Sequence, residues 1–208
     1  MSRYLPVFPL GTVVLPTQVL PLHVFEPRYR ALMEVLTDPG SSGELGVVLI
    51  ERGSEVGGGD VRVGIGTVVH LIEAEPMPDG RWLAVFAGSH RFRVSRWLPD
   101  DPFPQAEVDE VADAPWEARD GDAFAAAELA VRETLTLAAE LGDPAVRPGF
   151  VLSSTPAVAA WELCAIAPLG PLDRQRLLEA PTHLARLDML ASQANELSKV
   201  LAFRLQGR

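Results

Sequence analysis

Residues 21–30 read Pro21-Leu22-His23-Val24-Phe25-Glu26-Pro27-Arg28-Tyr29-Arg30, and within this segment the chain changes from a strand pattern to a helix pattern. Apolar residues from Val13 to Phe25 favour strands, but repeated prolines remove ladder donors, which predicts short, bent or edge strands. Pro27 stands at the favoured first position of a helix. The apolar face of that helix consists of Tyr29, Leu32, Met33 and Leu36.

Strand patterns dominate the first half of the chain on both sides of this junction. Tyr4 to Val7 form a short apolar segment, and Leu45 to Ile50 form a continuous apolar run that is typical of a buried strand. A strong turn sequence, Pro76-Met77-Pro78-Asp79-Gly80, predicts a hairpin. The strands predicted around and after this turn are Val61–Glu73, Arg81–Ala87, Arg91–Trp97 and Gln105–Val111.

The second half of the chain has the composition of helices. Ala, Leu and Glu are frequent from Asp122 to Leu141, and Gly142-Asp143-Pro144 predicts the end of this long helix. Further helices are predicted at Pro156–Ile166, at Pro171–Glu179 and from Pro181 onward. Strands followed by helices predict an α+β protein. Its expected parts are a β-rich subdomain over residues 1–112, an acidic linker over 113–121 and a helical subdomain over 122–208.

The formal net charge of -10 is concentrated in one segment. From Asp100 to Asp122 the chain has nine acidic residues and one basic residue, Arg119, which leaves -8 by subtraction. We interpret this segment as a solvated linker. The single cysteine, Cys164, lies in an apolar helical run and is expected to be an inert core residue in a reducing cytoplasm. No signal peptide or membrane-spanning run is recognised, so we expect a cytoplasmic protein.

None of the common catalytic motifs occurs in the sequence. The chain lacks a G-x-x-x-x-G-K-[ST] phosphate loop, a G-x-S-x-G nucleophile elbow and paired zinc ligands. Gly64-Ile65-Gly66 has no third glycine and lies in a strand, where glycine indicates a bulge or a close backbone approach. Ser192 shares a helix face with Lys199 but is too distant for proton transfer. We therefore expect no catalytic residue, no cofactor and no metal ligand.

Several motifs resemble the substrate-binding N-terminal domain family of Lon proteases. The first is Phe8-Pro9-Leu10-Gly11-Thr12-Val13-Val14-Leu15-Pro16, followed by residues 21–30. The later ones are residues 63–68, Pro78-Asp79-Gly80 and Gly88-Ser89-His90-Arg91-Phe92-Arg93-Val94, with a weaker similarity around residues 173–179. The Phe-Glu-Pro-Arg-Tyr form resembles free-standing and RING-associated members more than full bacterial Lon proteases. The chain ends where Lon would continue into its ATPase, and the catalytic residues of Lon have no counterpart here.

The resemblance implies a PUA-like pseudo-barrel followed by a helical bundle. It also implies non-catalytic binding of unfolded or damaged polypeptides or of a partner protein, as an adaptor or a holdase-like factor. Glu26 and Arg28 are interpreted as holding the strand–helix junction. At least one of them is expected to be mostly buried and bonded to backbone or to an opposite charge, because an unpaired buried charge is costly. The complete set of motif residues interpreted as structural is Pro9, Leu10, Pro21, Leu22, Phe25, Glu26, Arg28, Tyr29, Gly64, Asp79, Gly80, Arg91 and Phe92.

Three functions remain open from the sequence. A polypeptide-binding module requires an apolar groove, between barrel and bundle or on an exposed sheet edge. A nucleic-acid binder is the alternative, because PUA-like folds often bind RNA, but the net charge disfavours phosphate binding. The basic cluster available for it is Arg81, Arg91, Arg93 and Arg96. A hydrolase or small-molecule protein with an unrecognised site is the third. The sequence does not indicate an oligomeric state.

Overall fold

Six strands and five helices are present in the part of the chain that the computed structural model describes, residues 2–143 and 149–207. In chain order they are β1 (Arg3–Leu10), β2 (Val19–Val24), α1 (Pro27–Thr37), β3 (Glu44–Arg52), β4 (Val61–Pro76), β5 (Trp82–Trp97), β6 (Gln105–Val111), α2 (Ala118–Glu140), α3 (Pro156–Ile166), α4 (Pro171–Glu179) and α5 (His183–Gln206). The chain divides into two compact units, Met1–Ala112 and Asp113–Arg208. The predicted α+β class is confirmed. Pro144 of the predicted helix stop lies outside the described residues.

The first unit is a closed barrel with one attached strand. β1 pairs in parallel with β3 and antiparallel with β6, and the antiparallel pairs β3–β4, β4–β5 and β5–β6 complete the circle. β2 is outside this circle and has β5 as its sheet neighbour. Closure removes the free edges of the five barrel strands, so an edge is left at β2.

The strands predicted at Arg81–Ala87 and Arg91–Trp97 are in fact one strand, β5. Its first half pairs with β2, its second half pairs with β6, and β4 accompanies both halves. Gly88 lies where β5 passes from one partner to the other, and a Cβ there would overlap the carbonyl oxygen of Leu15. The glycine therefore marks a close backbone approach and not the end of a strand.

Two apolar cores hold this unit together. The first lies on the α1 side of the sheet, where Tyr29, Leu32, Met33 and Leu36 pack against residues such as Val47, Val69 and Phe86. The predicted apolar face of this helix is thus confirmed. The second core fills the barrel and consists of Leu5, Val7, Val48, Val68, Phe92, Ala106 and Val108.

Phe92 fills the barrel because β3 and β4 each have a glycine where they contact its ring. A Cβ on Gly46 would lie 2.6 Å from Cζ of Phe92, and a Cβ on Gly66 would lie 2.8 Å from the same atom. A Cβ on Gly66 would also overlap the carbonyl oxygen of Val47. By contrast, nothing lies within 4 Å of the corresponding position on Gly64. The close approach predicted for this motif is therefore made by Gly66, and Gly64 is exposed.

The junction between β2 and α1 contains an ion pair between Glu26 and Arg28. Nε of Arg28 lies 3.3 Å from Oε2 of Glu26, and these side chains are 17% and 15% exposed. The guanidinium also donates to the carbonyl oxygen of Glu55 at 3.2 Å and lies 4.4 Å from the ring centroid of Tyr29. The Tyr29 ring stacks on Phe8, and burial raises the pKa of its hydroxyl far above the usual range. Both charged residues are therefore mostly buried and paired.

In the second unit, the long helix α2 begins at Ala118 and not at Asp122. The carboxylate of Asp120 accepts a hydrogen bond from the backbone N–H of Glu117 at 2.7 Å, which caps the helix. Asp120 is buried, and so the acidic segment is not simply a solvated linker. Farther along α2, the hydroxyl of Thr134 donates to the carbonyl oxygen of Ala194 on α5 and lies 2.8 Å from the hydroxyl of Ser198.

Arg186 of α5 organises the interior of the second unit. Its side chain is 1% exposed, and its guanidinium lies 3.2 Å from a carboxylate oxygen of Asp113. It donates to the carbonyl oxygen of Leu177 at 3.1 Å and lies 3.6 Å from the ring centroid of Trp161. The indole N–H of Trp161 donates to the same Asp113 carboxylate at 2.7 Å. A second acid of the supposed linker is therefore a structural anchor.

We predict that Gly66→Ala destabilises the protein by about 1–3 kcal/mol, because the new methyl group overpacks the barrel against backbone and Phe92. Gly64→Ala in the same strand is the matched control and should change the free energy of unfolding by less than about 0.5 kcal/mol. Urea unfolding followed by tryptophan fluorescence measures both. Equal effects of the two substitutions would contradict the assignment of the close approach to Gly66.

We predict that Arg186→Ala destabilises the helical unit by about 3–5 kcal/mol, because it leaves buried acceptors without their donor. Arg204→Ala, an exposed change on the same helix, is the control and should cost less than about 0.5 kcal/mol. Urea unfolding of the full chain, followed by circular dichroism at a helix-sensitive wavelength, distinguishes them. Similar midpoints for both variants would show that the buried guanidinium is dispensable.

Candidate functional site

An apolar surface lies on the side of β2 and β5 that faces away from α1. Along β2, Leu20, Leu22 and Val24 pack into the core, while the alternating residues Val19, Pro21 and His23 are exposed. The strand pairing places these three opposite Ala87, Val85 and Leu83 of β5. We call this surface the outer face, and it consists of Val19, Pro21, His23, Leu83, Val85 and Ala87.

The outer face contains a shallow cavity of about 420 Å³, within the usual range for ligand sites. Its apolar part includes Pro21, Leu83 and Val85. Leu83, which lines the cavity, is 45% exposed, and Val19, at the opposite end of the β2–β5 ladder, is 58% exposed. This arrangement provides apolar area that a bound chain would remove from water.

Two carboxylates border the cavity on the β4 side. Glu73 pairs with Val85 and Glu75 pairs with Leu83, so both acids stand beside the apolar residues at the next strand. Both side chains are exposed, and neither has an ion-pair partner within residues 2–143 and 149–207. The border of the outer face is therefore negatively charged on one side.

An aromatic residue, Phe25, extends the outer face at the end where His23 lies. Phe25 is 51% exposed, and its ring centroid lies 6.2 Å from that of His23. A smaller cavity of about 100 Å³ is next to it, with Val56 and Glu55 among its lining residues. Exposed aromatic side chains are frequent among the residues that contribute most to protein recognition.

The free edge of β2 adds backbone groups to this surface. The carbonyl oxygen of Gln18 accepts from the N–H of Gly88 at 2.8 Å, so alternate residues from Gln18 onward direct their backbone groups toward β5. Val19, Pro21 and His23 therefore direct theirs away from the sheet. Pro21 costs no ladder hydrogen bond at this position, because its missing N–H would face the free edge.

A tight turn before β2 fixes where this strand starts. The N–H of Gln18 donates to the carbonyl oxygen of Leu15 at 3.1 Å, with Pro16 and Thr17 between them. Thr17 has a φ of 72°, a left-handed conformation in which glycine is usual, and its N–H donates to the carbonyl oxygen of Gly88. The turn and the bulge that follows it are strained at this β-branched residue.

The motif residues interpreted as structural have different positions in the fold. Leu10, Tyr29, Phe92 and Arg91 are buried, and Pro9 is buried in β1. Asp79 and Gly80 form the β4–β5 turn, where Gly80 has a φ of 81°. Phe25 does not belong to the core, because its ring is at the surface next to the outer face. Pro21 is also exposed, and Leu22 is partly buried beneath it.

The four arginines proposed as a basic patch do not form one. Arg91 is 2% exposed and donates to the carbonyl oxygen of Ala112 at 3.4 Å. Arg81 pairs with Asp79 at 2.7 Å, and Arg96 pairs with Glu107 at 2.5 Å. Arg93 is exposed in β5, where it pairs with Asp109 of β6 in the strand register. The positive charges are therefore mostly buried or matched by acids, which weakens the nucleic-acid alternative.

The side chains considered as catalytic candidates are either buried or bonded to neighbouring residues. Burial raises the pKa of the Cys164 thiol to about 12, which keeps it protonated and unreactive near neutral pH. Lys199 is exposed and pairs with Glu196 at 2.6 Å, while the hydroxyl of the adjacent Ser198 lies against Thr134. Within residues 2–143 and 149–207, no three His, Cys, Asp or Glu side chains are grouped as metal ligands.

This α+β architecture matches one protein family over nearly its whole length. The family model of the ATP-dependent protease La (LON) substrate-binding domain matches residues 4–196 of this chain. The chain belongs to this family, as its motifs indicated. Membership supports a role in substrate recognition.

Curated relatives show the same relationship over part of their length. Lon protease 2 of Herpetosiphon aurantiacus is 28% identical over 202 residues, which are 91% of this chain and 24% of that protein. Lon protease 1 of Myxococcus xanthus is 27% identical over 191 residues, which are 89% of this chain and 23% of that protein. The chain thus spans about a quarter of the length of these relatives.

Solved structures agree on the fold. The crystal structure of a Lon N-terminal domain protein from Xanthomonas campestris matches with a TM-score of 0.63 and 28% identity, over 91% of this chain and 98% of that one. The N-terminal domain of Mycobacterium avium complex Lon protease matches with a TM-score of 0.69 and 20% identity, over 93% and 99%. At that identity, the second match concerns the fold alone. None of the described helices is both long and apolar enough to cross a membrane.

We predict that Thr17→Gly stabilises the protein by about 0.5–1 kcal/mol. Relief of left-handed strain at a β-branched residue contributes about 1–2 kcal/mol. This gain is larger than the conformational-entropy cost of ordering a glycine at the same position. Thr12→Gly, an exposed change at a residue without positive φ, should lower stability instead. The midpoints of urea unfolding show whether each variant is more or less stable than the parent chain. A loss of stability in Thr17→Gly would contradict the claim that Thr17 is strained.

Proposed function

We propose that this chain is a non-catalytic polypeptide-binding module that engages unfolded or damaged segments through the outer face. The observation that carries this proposal is the exposure of Pro21 and Leu83 over a cavity of about 420 Å³, with the exposed Val19 farther along the same face. Family membership supports the same role. Acting as an adaptor or as a holdase-like factor in the cytoplasm is part of the proposal.

An extended segment suits this surface better than a folded partner does. The free edge of β2 offers carbonyl oxygens at Val19, Pro21 and His23, and N–H groups at Val19 and His23. A bound chain lying along β2 would pair with these groups and place alternate side chains over the outer face. Because Pro21 offers no N–H, the backbone pairing is interrupted in the middle, and apolar burial contributes the larger share.

This mode of binding would allow the module to recognise unfolded chains of many sequences. Main-chain pairing does not depend on the sequence of the bound segment, and the shallow cavity accepts different apolar side chains. Ordering a flexible segment opposes association, so we expect dissociation constants in the micromolar range or weaker. Phe25, exposed at the end of the face, adds an aromatic contact.

We predict that Val19→Thr/Leu83→Thr weakens binding of an unstructured apolar peptide about tenfold or more. The expectation follows from the loss of buried methyl groups, at about 0.8 kcal/mol for each CH₂ equivalent. Fluorescence anisotropy with a fluorescein-labelled peptide of alternating Leu and Ser measures the affinity. Neither residue belongs to the buried core, so both should be replaceable without unfolding.

The matched control is Val35→Thr/Val61→Thr, which changes two valines that are 51% and 41% exposed and lie away from the outer face. This variant should bind the peptide like the parent chain. Equal loss in both double variants, or no peptide binding by the parent chain, would contradict the proposed site. A structured RNA hairpin should not bind, and salt-sensitive RNA binding would favour the nucleic-acid alternative.

A further inference from the structure

We infer that the outer face selects cationic segments, and in particular apolar segments in which Lys or Arg residues stand two positions apart. This inference rests on the proposed function and adds the class of polypeptide that the site prefers. It follows from the position of Glu73 and Glu75 beside the apolar residues and from the absence of ion-pair partners for these two acids among the described residues.

The two carboxylates have a fixed spacing because they lie on the same strand. Glu73 and Glu75 are two positions apart in β4 and face the same side of the sheet, so their Cα atoms are about 6.5–7 Å apart. A bound segment in extended conformation has the same repeat. Where the segment continues past its pairing with β2 and crosses the cavity, basic side chains at alternate positions therefore match the two acids together. Apolar side chains elsewhere in the same segment cover Leu83 or Val85.

The surroundings of Glu73 and Glu75 favour selection of basic segments at this site over a general attraction of basic peptides to an acidic protein. Many other charged groups in the barrel unit are paired, as with Arg62, which contacts both Asp60 and Asp100, and Arg96, which contacts Glu107. Glu73 and Glu75 keep unmatched charge next to apolar area. Approach of an acidic segment would place like charges together, which lowers affinity and excludes such segments.

The expected size of the preference is moderate, because both acids are exposed. Exposed ion pairs each contribute modestly, so two of them should give a preference of about three- to tenfold in dissociation constant. Salt should reduce it, since the screening length falls to about 3 Å at 1 M ionic strength. Binding of a neutral apolar peptide should change little over the same range of salt.

Three labelled peptides test the inference with the full chain. They share an apolar core of alternating Leu and Ser and carry a Lys-x-Lys, a Gln-x-Gln or a Glu-x-Glu segment beside it. We expect the lysine peptide to bind most tightly and the glutamate peptide most weakly in anisotropy titrations at low salt. The preference should disappear in Glu73→Gln/Glu75→Gln and reverse in Glu73→Lys/Glu75→Lys.

The control variant is Glu133→Gln/Glu140→Gln, which makes the same change in net charge on exposed residues of α2. It should keep the full preference for lysine. If this variant loses the preference as much as Glu73→Gln/Glu75→Gln does, net charge is responsible and the inference is overturned. Equal binding of all three peptides overturns the inference while the proposed function stands. No binding of any peptide overturns the proposed function, and the inference with it.

Discussion

The ring of Phe92 rests on two glycine backbones inside the barrel, and the form of the first unit depends on this contact. Gly46 and Gly66 leave the space that the ring occupies, and a methyl group on either would displace it. With the ring in place, the second half of β5 closes the barrel against β6. The first half of the same strand then extends beyond the barrel and carries β2 as an added strand. The exposed outer face is thus a consequence of how the barrel closes.

The strand register determines which charged side chains of the barrel unit are buried or paired and which are exposed. Arg91 is buried, and Arg81 and Arg96 stand beside acids, so an arginine-rich segment yields no basic patch. Asp113 and Asp120, in the most acidic stretch of the chain, are used within the helical unit. Glu73 and Glu75 are exposed and lie beside apolar side chains. Net charge alone therefore does not describe what the surface offers to a partner.

Local patterns were sufficient to predict the helices, the order of the elements and the strand–helix junction. Pro27 and the spacing from Tyr29 to Leu36 specify α1, because both signals act over neighbouring residues. The same reasoning separated β5 into two strands, since Gly88 resembles a break until its contact with Leu15 is known. It also interpreted Phe25 as structural, because large apolar residues usually set turns and cores, whereas its ring is exposed next to the outer face. Which side of a strand is covered depends on elements that are distant in sequence.

The sequence by itself determined the α+β class and the family, because these follow from local periodicity and from a continuous motif. Only the tertiary structure decided that Gly66 and not Gly64 approaches its neighbours, that Asp113 anchors Arg186, and that the outer face is exposed. The physical reason is that alternation along a strand separates two faces without indicating what covers each. That is set by which strands become neighbours when the barrel closes.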